Sequence, residues 1–457
     1  MIQDGWMVNG GMVEGTLVTP AQLGLAVVLN LALWLFLRRW LARQLAEVPR
    51  WLSRVALLSL GLRLLFAIFS GFFPSPDVIG FESHGWVITR QLWAEPGGWL
   101  QTLAGNELHF EDWHVVFYGM SNTFFFHKLL SLVNLFTLNG KIYTAAFLSF
   151  FCFVGSWQLV RTLLHRWPGA AAGAAVAFLL WPPMLFWTST YTKESVLLGT
   201  GAWLLALVVE GFYGGVEERR GQAWARALAI LLLAFLHFKM RYFFAAPLLV
   251  GLLGLGLVRV FQRMGLARQR WSQVLIMLGL LGLGAFIAPQ LSVAFRSNKF
   301  TSQMIKVYTH HLEMSRGRPH FEYPNLKPTE ESAVLHMPLA VVNALARPVL
   351  GESRGLQYVA GGLENAALLF MLALPLLAAI RRKAAGPLPF AFVLALLVFC
   401  VVVAVLMGLT VPNFGALSRY RSAMLPYLLL LLLQNEYAVA LLRRLGLGED
   451  QALPEQH

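Results

Sequence analysis

Charge is what this 457-residue chain has least of: Asp, Glu, Lys and Arg together make up 13% of it, against ~25% in soluble domains. Hydrophobic residues reach 57%, above the ~45–50% of soluble domains. So few charges cannot cover so much apolar surface in water, which excludes a soluble enzyme, a coiled coil and a disordered scaffold. Cysteine is also scarce. Cys152 and Cys400 both lie within apolar runs, so the sequence offers neither a disulfide framework nor a thiolate metal cluster. It has no HExxH, no Walker A loop and no dinucleotide-type GxGxxG. Glycine is plentiful, but Gly251, Gly254 and Gly256, like Gly279, Gly282 and Gly284, fall inside apolar segments. There small residues serve close helix packing rather than phosphate binding.

What is present is a series of apolar runs near the ~20 residues a membrane-spanning helix requires. They lie near 22–37, 55–73, 143–160, 170–187, 195–214, 227–240, 242–258, 271–290, 361–380, 387–409 and 422–442. The expected fold is an all-α polytopic membrane protein with about 11 transmembrane helices. No Lys or Arg precedes the first run, whereas Arg38, Arg39, Arg43, Arg50 and Arg54 follow it. The positive-inside rule then puts the N-terminus outside and the next loop in the cytoplasm. A cleavable signal peptide is not expected, because the basic start and the cleavage site are missing. Carried along the chain, this topology puts just over half of the 36 basic residues in cytoplasmic loops. The formal charge of +13 is thus mostly membrane-orienting, and nucleic acid is not an expected partner. Run 227–240 is the shortest link, and without it Arg259, Arg263, Arg268 and Arg270 would fall outside.

Three divisions follow. Residues 1–290 form an N-terminal transmembrane module whose first outer loop is 74–142; residues 291–358 form a long outer loop; residues 359–457 form a C-terminal transmembrane module. Both long loops are rich in aromatic and apolar residues, so they are expected to be ordered, with interfacial helices. The stretch Thr123–Thr137 suits either a helix lying flat at the interface or a short re-entrant one.

The outer segments hold the candidate chemistry. Asp77 follows Pro74 immediately outside the membrane, with Glu82, His84 and Arg90 behind it. A carboxylate fixed at that depth suits deprotonation of a hydroxyl acceptor; it equally suits the start of a helix. Glu107, His109, Glu111, Asp112 and His114 have the composition of a divalent-metal site or of a solvated loop, with no fixed-spacing motif to decide. Lys193 and Glu194 stand at the start of the fifth run, where charge is costly unless paired or hydrated. Dipole stabilisation and snorkelling explain them equally well. Arg241 with Tyr242, Arg347 with Glu352, Arg354, and Asn413 followed by Arg419, Tyr420 and Arg421 all reach the same outer face. Guanidinium forks there bind phosphate oxygens or anionic headgroups. Glu364–Asn365, just inside the ninth run, is placed to pair with one of these arginines. Arg63 is the chief charge inside a span.

Over most of its length the chain resembles the GT-C superfamily, multi-pass glycosyltransferases that use polyprenyl-phosphate-linked sugars. The resemblance rests on the many spans, the long first outer loop opening on an acidic residue, and the further large outer loop. Locally, SPDVIGFESHGWVITRQL is similar to the segment bearing that superfamily's catalytic Asp, which carries over to Asp77. PPMLFWTSTYTKES, LARPVLGES and NFGALSRYR resemble signatures of a bacterial branch. Ser75-Pro76-Asp77 stands where better-known branches have two adjacent acids, and Phe81 where they have a hydroxyl-bearing aromatic.

The resemblance implies a glycosyltransferase of the bacterial inner membrane, active on the periplasmic face, with Asp77 as catalytic carboxylate; Glu82, read from the same segment, is the second candidate. His84, Lys193, Glu194, Arg241, Tyr242, Arg347, Glu352, Asn413, Arg419, Tyr420 and Arg421 are the candidate substrate-binding residues, and Tyr308 and Tyr323 candidates to stack on sugar rings. The partners implied are a polyprenyl-phosphate-linked sugar, a lipid or glycan acceptor and membrane lipids. No motif requires a cofactor, and a divalent metal stays open. Two alternatives stand beside it: a polymerase or ligase of lipid-linked glycans, which has the same leaving group, and, as a non-enzyme, a flippase or transporter of lipid-linked substrates. The last would carry charges at mid-membrane and broken helices.

Overall fold

The computed structural model describes residues 18–117, 121–214, 220–291, 295–353 and 355–448; Arg354 lies outside the described residues. Among the described residues the architecture is all-α apart from one small hairpin and a single bridge between His320 and Asn413. Helix α1 (Pro20–Ala46) opens with Pro20 at its first position and a capping box in which Thr19 and Gln22 satisfy each other's backbone. Helix α2 (Arg50–Phe72) returns directly after Pro49.

Residues 74–142, expected as a loop, fold into α3 (Pro76–Ala94), α4 (Pro96–Ala104), the hairpin β1 (Glu107–Phe110) and β2 (Trp113–Val116), and α5 (Asn122–Thr137). The hairpin pairs His109 with His114, and Glu111 in its turn has a φ of 52°. Ser121 caps α5 through Phe124 N–H. Helix α5 packs on α3 and buries Phe126, Leu130 and Val133.

The centre of the protein is the pair α6 (Lys141–Arg166) and α9 (Lys193–Tyr213). They cross at glycine: a Cβ on Gly155 would lie 2.0 Å from the carbonyl oxygen of Gly199, so nothing larger permits this approach. Thr162 donates to Glu210 at 2.7 Å near the C-terminal ends of both, so the two helices run parallel. The chain between them must therefore return. It does so through a 3-10 turn (Pro168–Ala170), α7 (Ala171–Ala175), a π turn (Val176–Leu180) and α8 (Pro182–Trp187). The run 170–187 is thus not one continuous helix. Pro182 and Pro183 lack the N–H groups that would continue the ladder, and the preceding turn widens until Trp181 N–H bonds Val176. Arg63, 2% exposed, ties α2 to this return: its guanidinium donates to Thr188 Oγ1 at 3.0 Å and Ser149 Oγ at 3.4 Å.

Next come α10 (Arg220–Met240), α11 (Tyr242–Arg263) and α12 (Arg270–Leu291). The short run at 227–240 is in fact the second half of a 21-residue helix. Residues 291–358 contribute α13 (Ser297–Glu313) and α14 (Glu330–Ala346), followed by α15 (Leu356–Ile380), α16 (Phe390–Thr410), α17 (Phe414–Arg421), α18 (Leu425–Leu432) and α19 (Glu436–Arg444). Helices α13 and α14 both pack on α16; a Cβ on Gly408 would lie 2.1 Å from Ala340 O. Run 422–442 is bent by 98° between α18 and α19. Asn435 makes that break, its side chain accepting from Ala438 N–H to start a new helix.

Among the described residues nine helices are long and apolar enough to cross a membrane, or ten if the bent pair is one span. This is a polytopic membrane protein. Helices α1, α12 and α15 keep most of their apolar side chains exposed, for example Phe36, Phe286 and Leu376, as lipid-facing helices do. The two ends of the bundle differ. One collects ties between basic residues and helix termini: Arg161 with Glu47 at 2.5 Å, Arg259 with Phe212 O at 3.2 Å, Lys383 with Glu436 at 3.1 Å. The other carries the site.

Candidate active site

The starts of α3, α5, α9 and α11 converge at that second end, together with α17. Asp77 lies in the first turn of α3, one residue inside Pro76, while Ser75 holds the cap position. Helix α9 begins with Lys193 and Glu194, both drawn inside the bundle: Lys193 is 8% exposed and Glu194 2%. Arg241 sits between α10 and α11, and α17 presents Arg419 and Tyr420.

Glu194 anchors the cluster. Its Oε1 lies 2.7 Å from Arg241 Nη2 and 3.6 Å from Arg419 Nε, so one buried carboxylate holds two guanidiniums. Tyr420 reinforces the arrangement from below: Arg241 lies 3.9 Å and Arg419 5.2 Å from its ring centre, the stacked cation–π geometry. Arg419 Nη1 reaches Asp77 Oδ2 at 2.5 Å. Burial alone would lower the Arg419 guanidinium, but Glu194, Tyr420 and Asp77 outweigh it and hold its pKa above the ordinary value. Lys193 Nζ donates to Thr123 Oγ1 at 2.7 Å and Asn122 Oδ1 at 3.1 Å and lies 5.3 Å from the Phe81 ring centre. Two guanidiniums and the Lys193 amine thus stand against two carboxylates. Among the described residues the buried Nε atoms of Arg241 and Arg419 make no hydrogen bond, and that of Arg419 faces Glu194.

One further group faces this cluster. His311, on α13, sets its ring edge-on to Tyr420 at 6.3 Å. Burial pushes its pKa down to about 4, helped by His310 and by the Arg419 and Arg241 guanidiniums and opposed by Asp77. The imidazole is therefore neutral at pH 7. Sequence reasoning passed over His311, Asn122 and Thr123, because nothing in their local pattern links them to residues hundreds of positions away.

The remaining candidates fall elsewhere. Arg421, expected on the phosphate, is fully buried and structural: it donates to Asn365 Oδ1 at 2.7 Å, to Ala344 and Arg347 carbonyls, and meets Glu364 at 3.5 Å. The expected pairing of Glu364–Asn365 with one of the arginines is thus realised with Arg421. Arg347 pairs with Glu352 at 3.1 Å, and neither makes a described contact to the cluster. Asn413 caps α17 through Ala416 N–H and donates to Ser315, so it fixes the helix that carries Arg419. Tyr242 packs among Phe238, Phe243 and Phe295. Glu82 pairs with Lys141 at 3.1 Å. His84 bonds Gly80 O at 2.8 Å and stacks on His127 at 5.1 Å; burial lowers its pKa despite that carbonyl. Tyr308 and Tyr323, expected to stack on sugars, are core residues: Tyr308 Oη accepts from Tyr323 N–H, and Tyr323 Oη donates to Gly408 O.

The hairpin cluster brings His109 and His114 Nδ1 atoms to 3.0 Å and His109 to 2.9 Å from Glu107, while Glu111 is taken by Arg90 at 2.6 Å. Among the described residues no group of three or more His, Cys, Asp or Glu is arranged to hold a metal ion. No family model, curated protein or solved structure matches the chain.

Proposed function

We propose that the protein is an integral-membrane glycosyltransferase that moves a sugar from a polyprenyl-phosphate-linked donor to a hydroxyl acceptor at the end of the bundle where α3, α9, α11 and α17 meet. The observation that carries this reading is the convergence of Lys193, Arg241 and Arg419 with Asp77 at one end of an apolar bundle. A phosphate at headgroup depth is what two guanidiniums and a lysine amine suit, and the lipid-facing helices offer its chain a place beside them. In the reaction the acceptor oxygen bonds to the sugar's anomeric carbon and the bond from that carbon to the phosphate oxygen breaks. Asp77 takes the acceptor's proton, while Arg241, Arg419 and Lys193 hold the charge that grows on the departing phosphate. Counting 168–187 and the bent pair as crossings gives eleven spans, with the N-terminus and the site on the periplasmic side of a bacterial inner membrane.

The test is sugar transfer by the full-length protein in liposomes, with a panel of radiolabelled polyprenyl-phosphate sugars and glycan or lipid acceptors. Turnover that disappears in Asp77→Asn and falls steeply in Arg241→Gln is the expected result. Absence of turnover with every donor, although the lipid binds, overturns the reading.

A second reading, a flippase for the same lipids, draws on two interrupted spans, 168–187 and 425–444, and on Arg63 buried within a span. It predicts movement of labelled lipid between leaflets without sugar transfer.

A further inference from the structure

We propose that in the empty site Asp77 occupies the place of the substrate's oxyanion on Arg419, so that an incoming phosphate displaces it and thereby frees it to act. This rests on the reading above and goes beyond it, because it sets the order of events at the site.

The two carboxylates on Arg419 are not equivalent. Glu194 is sealed, with a side-chain exposure of 2%, and is shared with Arg241; Asp77 has a side-chain exposure of 45% and, among the described residues, Arg419 as its ion-pair partner. A buried carboxylate cannot leave without abandoning two guanidiniums in a poorly solvated place, whereas an exposed ion pair exchanges cheaply with water. A competing anion therefore replaces Asp77 and leaves Glu194 in position. Chemistry points the same way. While Asp77 Oδ2 lies 2.5 Å from Arg419 Nη1, the carboxylate is oriented by Arg419 rather than by an acceptor hydroxyl. Displacement leaves the Arg241 and Arg419 guanidiniums and Lys193 facing Glu194 alone, which favours the phosphate that causes it. Phosphate-bearing donor binds first, and the base becomes available second. Without donor the carboxylate stays latched.

The experiment measures binding of farnesyl phosphate, with inorganic phosphate in parallel, to the purified full-length protein in nanodiscs. Wild type is compared with Asp77→Asn, Arg419→Gln and the double variant, each checked for a monodisperse profile. The latch predicts that Asp77→Asn binds farnesyl phosphate about tenfold tighter than wild type, because an internal competitor has gone. That gain must vanish in the double variant, which lacks the shared guanidinium. Farnesyl phosphate binding to wild type with no gain in Asp77→Asn, or with a loss, overturns the latch and leaves the proposed function standing. Failure of wild type and Asp77→Asn alike to bind overturns both. Binding of inorganic phosphate with the same tenfold pattern supports the latch and assigns it to the phosphate alone; the pattern with farnesyl phosphate only supports it for the lipid headgroup.

Discussion

Arg419 and Arg421 stand two residues apart on α17, and their guanidiniums leave it toward opposite surroundings. Arg419 turns to Asp77 and Glu194 at the site, and Arg421 turns inward to Asn365 and Glu364. Positions i and i+2 on a helix do not share a face, so one short basic motif supplies both a binding residue and a structural brace.

The two arginines should therefore fail differently. Arg421→Leu removes one partner of a buried pair, at a cost of ~3–5 kcal/mol, and should appear as loss of folded protein in thermal and size-exclusion assays. Arg419→Gln should keep its fold and lose ~10²-fold in turnover, the usual cost of removing one donor to a developing oxyanion. Equal destabilisation of the two variants would sink this division of labour.

Tyr420 should act through its ring rather than its hydroxyl. Its face lies 3.9 Å from the Arg241 guanidinium, a contact worth ~0.5–2 kcal/mol when partly desolvated. Tyr420→Phe is expected to keep donor affinity, and Tyr420→Leu to weaken it by roughly two- to thirtyfold on that scale. The check is farnesyl phosphate binding; a larger loss in the Phe variant would point to the hydroxyl instead.

His311 gives stability a definite pH dependence. Its folded pKa lies at about 4, below the ordinary 6.5. Between those values the unfolded chain takes up a proton that the folded protein refuses. Its effect is absent above about pH 6.5, and stability falls as pH drops from there toward 4. Unfolding measured across this window should be less steep in pH for His311→Gln than for wild type. Identical slopes would remove His311 as the cause.

The crossing of α6 and α9 should tolerate no side chain at Gly155. Since a Cβ there would lie 2.0 Å from Gly199 O, Gly155→Val must push the two central helices apart, at ~3 kcal/mol or more. Fluorescence-detected size exclusion is expected to find little folded protein. A normal profile would mean that the helices can separate without cost.

Much of the fold was legible because lipid imposes a simple rule: a crossing helix needs about twenty apolar residues, and basic residues mark its ends. That rule located nine helices, among them 220–240 despite its short apolar core. It drew 170–187 as one run broken at its outer end by Pro182 and Pro183, and the chain there divides into several short helical pieces around that break. It also said nothing of the packing that buries Tyr308 and Tyr323.

The sequence by itself determined that the chain is a helical membrane protein and that Asp77, Lys193, Arg241 and Arg419 all lie at the ends of apolar runs. Hydropathy reports where a segment meets water, and helix ends are where charges can stay. Only the tertiary structure decided which of those charges meet. Asp77 and Arg419 are 342 residues apart, and their contact depends on how helices pack side by side, with Glu194 buried between Arg241 and Arg419. Packing of that kind is set by the fit of whole helix faces, such as Gly155 against Gly199, and no local pattern in a single chain records it.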